Sequence, residues 1–156
     1  MAFDGKAIAV IDGDTIKVAT QGRTVNVRLA EVDAPEKAQR YGAFSKSALA
    51  RLCLGVPVSV TEKVTDRYGR TVGRVTCRNL DASAEQVRAG MAWAYRAYLT
   101  DPAIARLEEQ ARASRTGLWA DSNPVPPWEY RHTSHPPKAR AKVEWWQGLL
   151  RGLLTR

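Results

Sequence analysis

The chain is poor in the residues that soft-metal and redox chemistry need. It has two cysteines and two histidines. Cys53 and Cys77 belong to no Cys-x-x-Cys motif, and neither His132 nor His135 stands at a zinc-ligand spacing from them. Spacing does not decide whether the two thiols pair or stay reduced. No apolar run is long enough to span a bilayer, and Met1-Ala2-Phe3-Asp4 does not have the character of a secretory leader. Acid is in deficit as well. Sixteen Asp and Glu against 24 Lys and Arg give a net charge of +8 and a pI near 9.9, a balance that favours a polyanionic partner without naming one.

Six of the sixteen acids stand with arginines in three short, turn-bounded segments: Ile11-Asp12-Gly13-Asp14-Thr15, the stretch from Arg28 to Glu36, and Asp66-Arg67-Tyr68-Gly69-Arg70. Each has a plain structural reading on its own. Asp-Gly-Asp between apolar runs makes a turn. Asp33 and Glu36, either side of Ala34-Pro35, could cap the next element. Asp66 to Arg70 reads as a hairpin loop with a solvated charge cluster. Together they supply hard oxygen donors for a cation beside guanidinium groups suited to a phosphate, the equipment of metal-assisted phosphodiester cleavage. An EF-hand is excluded, because the positions that require Gly and Glu, counted from Asp12, hold Lys17 and Arg23. A glycosidase pair drawn from Asp12, Asp14, Asp33 and Glu36 stays open on carboxylates alone, but it leaves Arg28 and Arg70 without a task.

In this order the segments resemble the active-site motifs of the staphylococcal nuclease (thermonuclease) family, over roughly Lys6 to Trp119. The resemblance implies that Asp14 and Asp33 ligate Ca²⁺ together with the backbone carbonyl of Ala34, and that Asp12 is the acid behind them. It implies further that Arg28 and Arg70 bind the phosphate and that Glu36 is the general base. Ala34 stands where the best-known member has threonine, a change of small consequence for a main-chain ligand. The implied activity is a calcium-dependent endonuclease acting on DNA and RNA with little sequence preference and leaving 3′-phosphate ends. Physical chemistry gives each role a reason. An all-oxygen shell suits Ca²⁺, though it also admits Mn²⁺ or Mg²⁺. Forked arginines stabilise charge building on a phosphoryl group, and Glu36 is placed to take a proton from an attacking water. Two other readings stand beside this one: a catalytically inactive nucleic-acid-binding module of the same fold, and an interaction protein acting through its tail. Mere binding does not require this carboxylate set, which argues against the first.

With 44% apolar residues over 156 positions the chain can bury one core. Lys6 to Ile11, Thr15 to Ala19 and Arg23 to Val32 read as strands, the last two joined by a Gln21-Gly22 turn. In the third, Val25, Val27 and Leu29 share one face and Arg28 takes the other. Tyr41, Phe44, Ala48, Leu49 and Leu52 recur at helical spacing up to Gly55 and predict a core-facing helix. Val56, Val58 and Val60 alternate in a fourth strand, with Pro57 at its edge or start, and Thr71 to Cys77 makes a fifth. Ser83 with Gln86 reads as the capping box of a short helix closed near Gly90, and Asp101-Pro102 opens another running through Ile104, Leu107, Ala111 and Leu118. Periodicity does not show closure. The resemblance implies an α+β domain over 1–121, a small five-stranded OB-type β-barrel with three packed helices. Within Trp93 to Tyr98 aromatic and basic residues interleave, making Tyr95 and Tyr98 candidates for stacking on bases, while Trp119 is expected in the core.

From 122 to 156 the composition shifts to a Pro-rich C-terminal tail. It holds five of eight prolines and three of five tryptophans with a net charge of +4, which predicts an extended connector. At its end Val143, Trp146, Leu149, Leu150, Leu153 and Leu154 fall near one face of a possible amphipathic helix that could dock on the domain, a membrane or another chain. Many family members are exported, so the resemblance implies an extracytoplasmic location and a leader removed ahead of this start.

Overall fold

The computed structural model describes residues 1–134. The alternating pattern of the first half becomes five long strands: β1 (Ala2–Asp12), β2 (Thr15–Thr20), β3 (Arg23–Leu29), β5 (Pro57–Thr65) and β6 (Thr71–Cys77). They lie in the order β3-β2-β1-β5-β6, and a parallel pairing of β3 with β6 closes the sheet into a barrel. This is the expected five-stranded OB-type architecture. Inward-facing Ala7, Ile16, Val18, Val27, Leu29, Val58, Val60 and Val75 fill it, as the period of two along each strand requires. Among the described residues three short strands and four α-helices complete the fold between and after these: β4 (Val32–Asp33), α1 (Gly42–Cys53), β7 (Leu80–Asp81), α2 (Ala82–Arg88), β8 (Trp93–Ala94), α3 (Pro102–Ala113) and α4 (Pro127–Ser134). Helices α1, α2 and α3 are the three expected ones, and α4 is a fourth.

Several elements depart from the sequence expectation for identifiable reasons. The third strand stops at Leu29 rather than Val32, because Glu31 adopts φ 69° and turns the chain. Val32 and Asp33 then pair with β8 instead, Asp33 opposite Trp93. Helix α1 starts at Gly42, with Tyr41 outside it at φ 69°, and its buried face is Gly42, Ser45, Leu49 and Cys53. Phe44, expected in the core, is 65% exposed. The face rotates because Ser45 is held inward: its hydroxyl donates to Met91 O at 2.7 Å and its carbonyl accepts from Gln86 Nε2 at 3.0 Å. The capping box is likewise reassigned. Asp81 caps α2 by accepting from Ala84 N, while Ser83 donates to Ala30 O and Gln86 to Gly13 O. A motif that resembles a local cap thus makes tertiary bonds. Asp101 and Pro102 do open α3, which ends at Ala113, and Leu118 and Trp119 are buried in a separate 3-10 turn. Cys53 and Cys77 form a disulfide that ties the end of α1 to the end of β6.

Pro127 lies at the first position of α4, where its fixed φ suits a helix start. Where the sequence reads as an extended connector, this helix instead lies against the domain. The Trp128 ring stacks parallel to Tyr95, with centroids 5.5 Å apart, and meets Trp93 edge-on at 5.6 Å. The hydrophobic stripe from Val143 to Leu154 lies outside the described residues.

Candidate active site

Three pieces of barrel geometry bring the motif segments together. The turn between β1 and β2 carries Asp12 and Asp14. Its glycine answers a need for space: a Cβ on Gly13 would run into the Ser45 hydroxyl and the Ala34 methyl. Helix α1 therefore presses directly on the turn and fixes it. Next to it, β3 delivers Arg28, paired with Thr15 on one side and with Val72 on the other. Because β3 and β6 run parallel, the residues just before β6 are placed beside Arg28, and Arg70 is one of them. The short β4 carries Asp33, and the chain beyond it carries Ala34 and Glu36.

All the sequence candidates, Asp12, Asp14, Arg28, Asp33, Ala34, Glu36, Arg70, Tyr95 and Tyr98, line one cleft of about 1100 Å³. Their contacts are specific. Ala34 N donates to Asp14 Oδ2 at 2.9 Å, and Thr15 Oγ1 donates to Asp14 Oδ1 at 3.0 Å. Asp14 N donates to Asp12 Oδ1 at 3.0 Å. Arg28 bridges the two buried aspartates, its Nη2 lying 3.3 Å from Asp33 Oδ1 and 3.7 Å from Asp14 Oδ2, while Nη1 donates to Leu29 O. Arg70 is aimed by Asp66, which accepts from its Nε at 2.8 Å and from its backbone N at 3.0 Å. The loop closes through Gly69 at φ 76°, a conformation glycine adopts without strain.

The electrostatics show crowding of acid. Burial, and then the charge of Asp14 beside it, raise the Asp12 carboxyl from 3.8 to about 7. Burial also raises Asp33, and the neighbouring Asp14 adds to the rise; guanidinium partners oppose it without cancelling it. A site that strains to hold its negative charge without a cation is suited to receive one. The donor set agrees, being all oxygen: two buried carboxylates bridged by one arginine, with the Ala34 backbone beside them. Among the described residues no group of three or more Asp, Glu, His or Cys side chains is placed to hold a metal ion by itself. Two carboxylates plus a main-chain carbonyl would not make one, and they leave room for water and substrate oxygens.

Tyr95 and Tyr98 differ in accessibility. Tyr98 is 66% exposed at the cleft, whereas Tyr95 is half-buried and has one ring face covered by Trp128. Among the further residues of the cleft that the sequence reading did not assign are Arg67, Tyr68 and Arg131. Arg67 donates to the Tyr68 hydroxyl at 2.8 Å and both are at its rim. Arg131, on α4, donates from Nη2 to Asp33 Oδ2 at 2.7 Å, and from Nη1 to Asp33 Oδ1 at 3.2 Å and Glu36 Oε1 at 2.7 Å. Arg67 and Tyr68 were visible inside a motif already singled out. Arg131 gave no signal beyond its charge, since 98 residues separate it from Asp33.

A closed barrel that gathers carboxylates and arginines in one open cleft defines a phosphate-directed site on an OB-type scaffold. The model of the staphylococcal nuclease homologue family matches residues 26–121, and the chain belongs to that family. Among curated relatives, an uncharacterized endonuclease of Escherichia coli O157:H7 is 44% identical over 129 residues, covering 82% of this chain and 84% of the relative. A micrococcal nuclease of Shigella flexneri is 42% identical over 143 residues, with 85% and 82% covered. A probable staphylococcal-like nuclease, CAN1, of Oryza sativa subsp. japonica is 42% identical over 105 residues, 67% of this chain and 32% of that protein.

Proposed function

We propose that the protein is a metal-dependent endonuclease, with Ca²⁺ as its cation, that hydrolyses phosphodiester bonds of DNA and RNA with little sequence preference and leaves 3′-phosphate ends. The observation that carries this reading is the convergence of Asp14, Asp33, Glu36, Arg28 and Arg70 on one cleft from three separate segments. Nuclease names among the relatives support it.

Asp14, Asp33 and the Ala34 carbonyl would hold the cation, which when bound polarises a phosphoryl oxygen and lowers the cost of generating hydroxide. The chain's own groups do the rest. Asp14 is fixed by Ala34 N and Thr15, and Arg28 is fixed by Leu29 O, so neither has to reorganise as the reaction proceeds. Among the described residues only Nε of Arg70 is engaged, by Asp66, leaving both terminal nitrogens for a phosphate. Glu36 is positioned by its backbone N–H, which donates to Gln39 Oε1 at 3.0 Å; its half-exposed carboxylate accepts the proton of the attacking water. The exposed ring of Tyr98 and the Arg67-Tyr68 rim lie where a flanking strand passes, contacts that favour backbone and stacking over base-edge readout. The Cys53–Cys77 disulfide supports an extracytoplasmic location, because such bonds persist in oxidising compartments.

Incubation with single-stranded DNA and with RNA, in Ca²⁺ or in chelator, tests the proposal. Cation-dependent cutting lost in Glu36→Gln and Arg70→Ala is expected. Binding without cleavage in every cation tried would reassign the chain as a nucleic-acid-binding module.

A further inference from the structure

Arg131 enters the cleft from α4, beyond the residues the family model matches. It is no stray surface arginine. Trp128, one helical turn before it, stacks on Tyr95 and abuts Trp93, and this anchors the helix. The segment leading into the helix is tied as well: Gln39 Nε2 donates to Val125 O at 2.6 Å, and the same side chain accepts the N–H of Glu36. From that anchor the guanidinium takes both oxygens of Asp33 and one of Glu36. Those are the carboxylates that the proposed function assigns to the cation and to the proton.

We infer that α4 is a built-in plug in which Arg131 acts as the resident counter-cation of Asp33 and Glu36 and must be displaced before a divalent cation can bind. The inference rests on the function proposed above. The guanidinium spans both oxygens of Asp33 and sets its own positive charge beside them, so a divalent cation there meets a like charge and competes for the same lone pairs until these charge-assisted bonds break. Its apparent dissociation constant is then the intrinsic one divided by the fraction of molecules with Arg131 withdrawn. Withdrawal needs no change in the barrel. The Arg131 side chain is 41% exposed and can turn into water, while Trp128 stays seated. The tail helix thereby sets the cation concentration at which the site becomes competent.

Calorimetric titration of the full chain with calcium chloride, and separately with manganese chloride, tests this without reference to cleavage. Arg131→Gln is expected to bind the cation about tenfold more tightly than wild type or better. Trp128→Ala keeps the guanidinium but loosens its helix, and is expected to shift affinity the same way by less. Asp33→Asn, as a control, is expected to remove the binding heat. Equal or weaker cation binding by Arg131→Gln, with far-ultraviolet circular dichroism and melting unchanged, overturns the plug while leaving the proposed function standing. If Arg131→Gln fails to fold, unchanged affinity in Trp128→Ala overturns it instead. Failure of wild type and both variants to bind either cation overturns the plug and the metal-dependent reading together.

Discussion

Glu31 and Asp33 are two residues apart and almost equally buried, at 4% and 1% exposure, yet their carboxyls move in opposite directions. Burial alone would raise both. For Glu31 it is outweighed by the hydroxyl and backbone N–H of Thr100, the N–H of Asp101 and the ammonium of Lys63, which hold its carboxyl down at about 2. Arg74 completes the shell and links it to Asp81 and Asp101. For Asp33 the bonds from Arg131 and Arg28 do not overcome burial and the repulsion of Asp14, so its carboxyl stays raised. The first carboxylate is saturated by its own chain and ties the turn between β3 and β4 to the segment ahead of α3. The second stays raised even with Arg28 and Arg131 against it, and it lies among the cleft residues proposed to hold a cation. One short turn thus separates a group that stabilises from a group that is kept available for chemistry.

The sharpest way to break this division is to neutralise one side at a time. Arg28→Ala, Arg70→Ala and Glu36→Gln are each expected to cut the hydrolysis rate by roughly 10²–10³. Thermal melting of Arg70→Ala and Glu36→Gln should stay close to wild type, whereas Arg28→Ala is expected to lose stability as well, because it leaves the buried Asp14 and Asp33 without their bridge. A large fall in melting temperature for Arg70→Ala or Glu36→Gln would place that residue on the structural side. Glu31→Gln is the reverse experiment. It keeps the shape but strips the charge from a buried hub that holds Lys63 and Arg74, and is expected to cost about 2–3 kcal/mol in urea unfolding. The activity of the molecules that remain folded is expected to stay within about threefold of wild type. Loss of rate without loss of stability would move Glu31 into the site.

These two roles could not be told apart in the sequence. Glu31, Asp33 and Glu36 stand in one motif, and nothing local says that the first is taken up by Thr100 and Asp101, some seventy positions on. The strands were legible because alternation is a local signal, as was the Asp101-Pro102 helix start. Barrel closure was not, since the parallel pairing of β3 with β6 joins residues more than forty positions apart. Phe44 misled because an apolar side chain at helical spacing resembles core, whereas the buried position was earned by Ser45 through its hydrogen bonds to Met91 and Gln86. Asp12, Asp14, Arg28, Asp33, Glu36 and Arg70 were legible as a set because their chemistry is unusual in combination. Arg131 was not, for it reaches the set only through the docking of α4.

The disulfide belongs with the stabilising half of the molecule. It ties α1, which presses on the Gly13 turn, to the far end of β6. Joining residues 24 apart in sequence, it is expected to contribute up to about 3 kcal/mol by restricting the unfolded chain. Cys53→Ala combined with Cys77→Ala, measured by urea unfolding under non-reducing conditions, should show that loss, with cleavage by the folded fraction nearly unchanged. If cleavage falls much further than stability, the α1 tie positions the site as well as holding the fold.

The smallest effect expected lies between the two regions, at Asp66. Burial would raise its carboxyl, but the N–H and guanidinium of Arg70 and the N–H of Tyr68 outweigh it and hold it below the ordinary 3.8. A carboxylate lowered in the folded state contributes stability above its unfolded value, and that contribution is lost as pH falls through the lowered one. The loop is therefore expected to be fully formed at neutral pH and to loosen only below about pH 4. Since Asp66 is near the surface, its bonds to Arg70 should matter more to where that guanidinium points than to global stability. Asp66→Asn keeps the shape and one acceptor, so a fall in rate of only about three- to tenfold is expected at neutral pH, with the melting temperature unmoved. A drop as deep as that of Arg70→Ala would mean that Asp66 itself takes part in the chemistry; no drop at all would mean that the phosphate, once bound, aims Arg70 unaided.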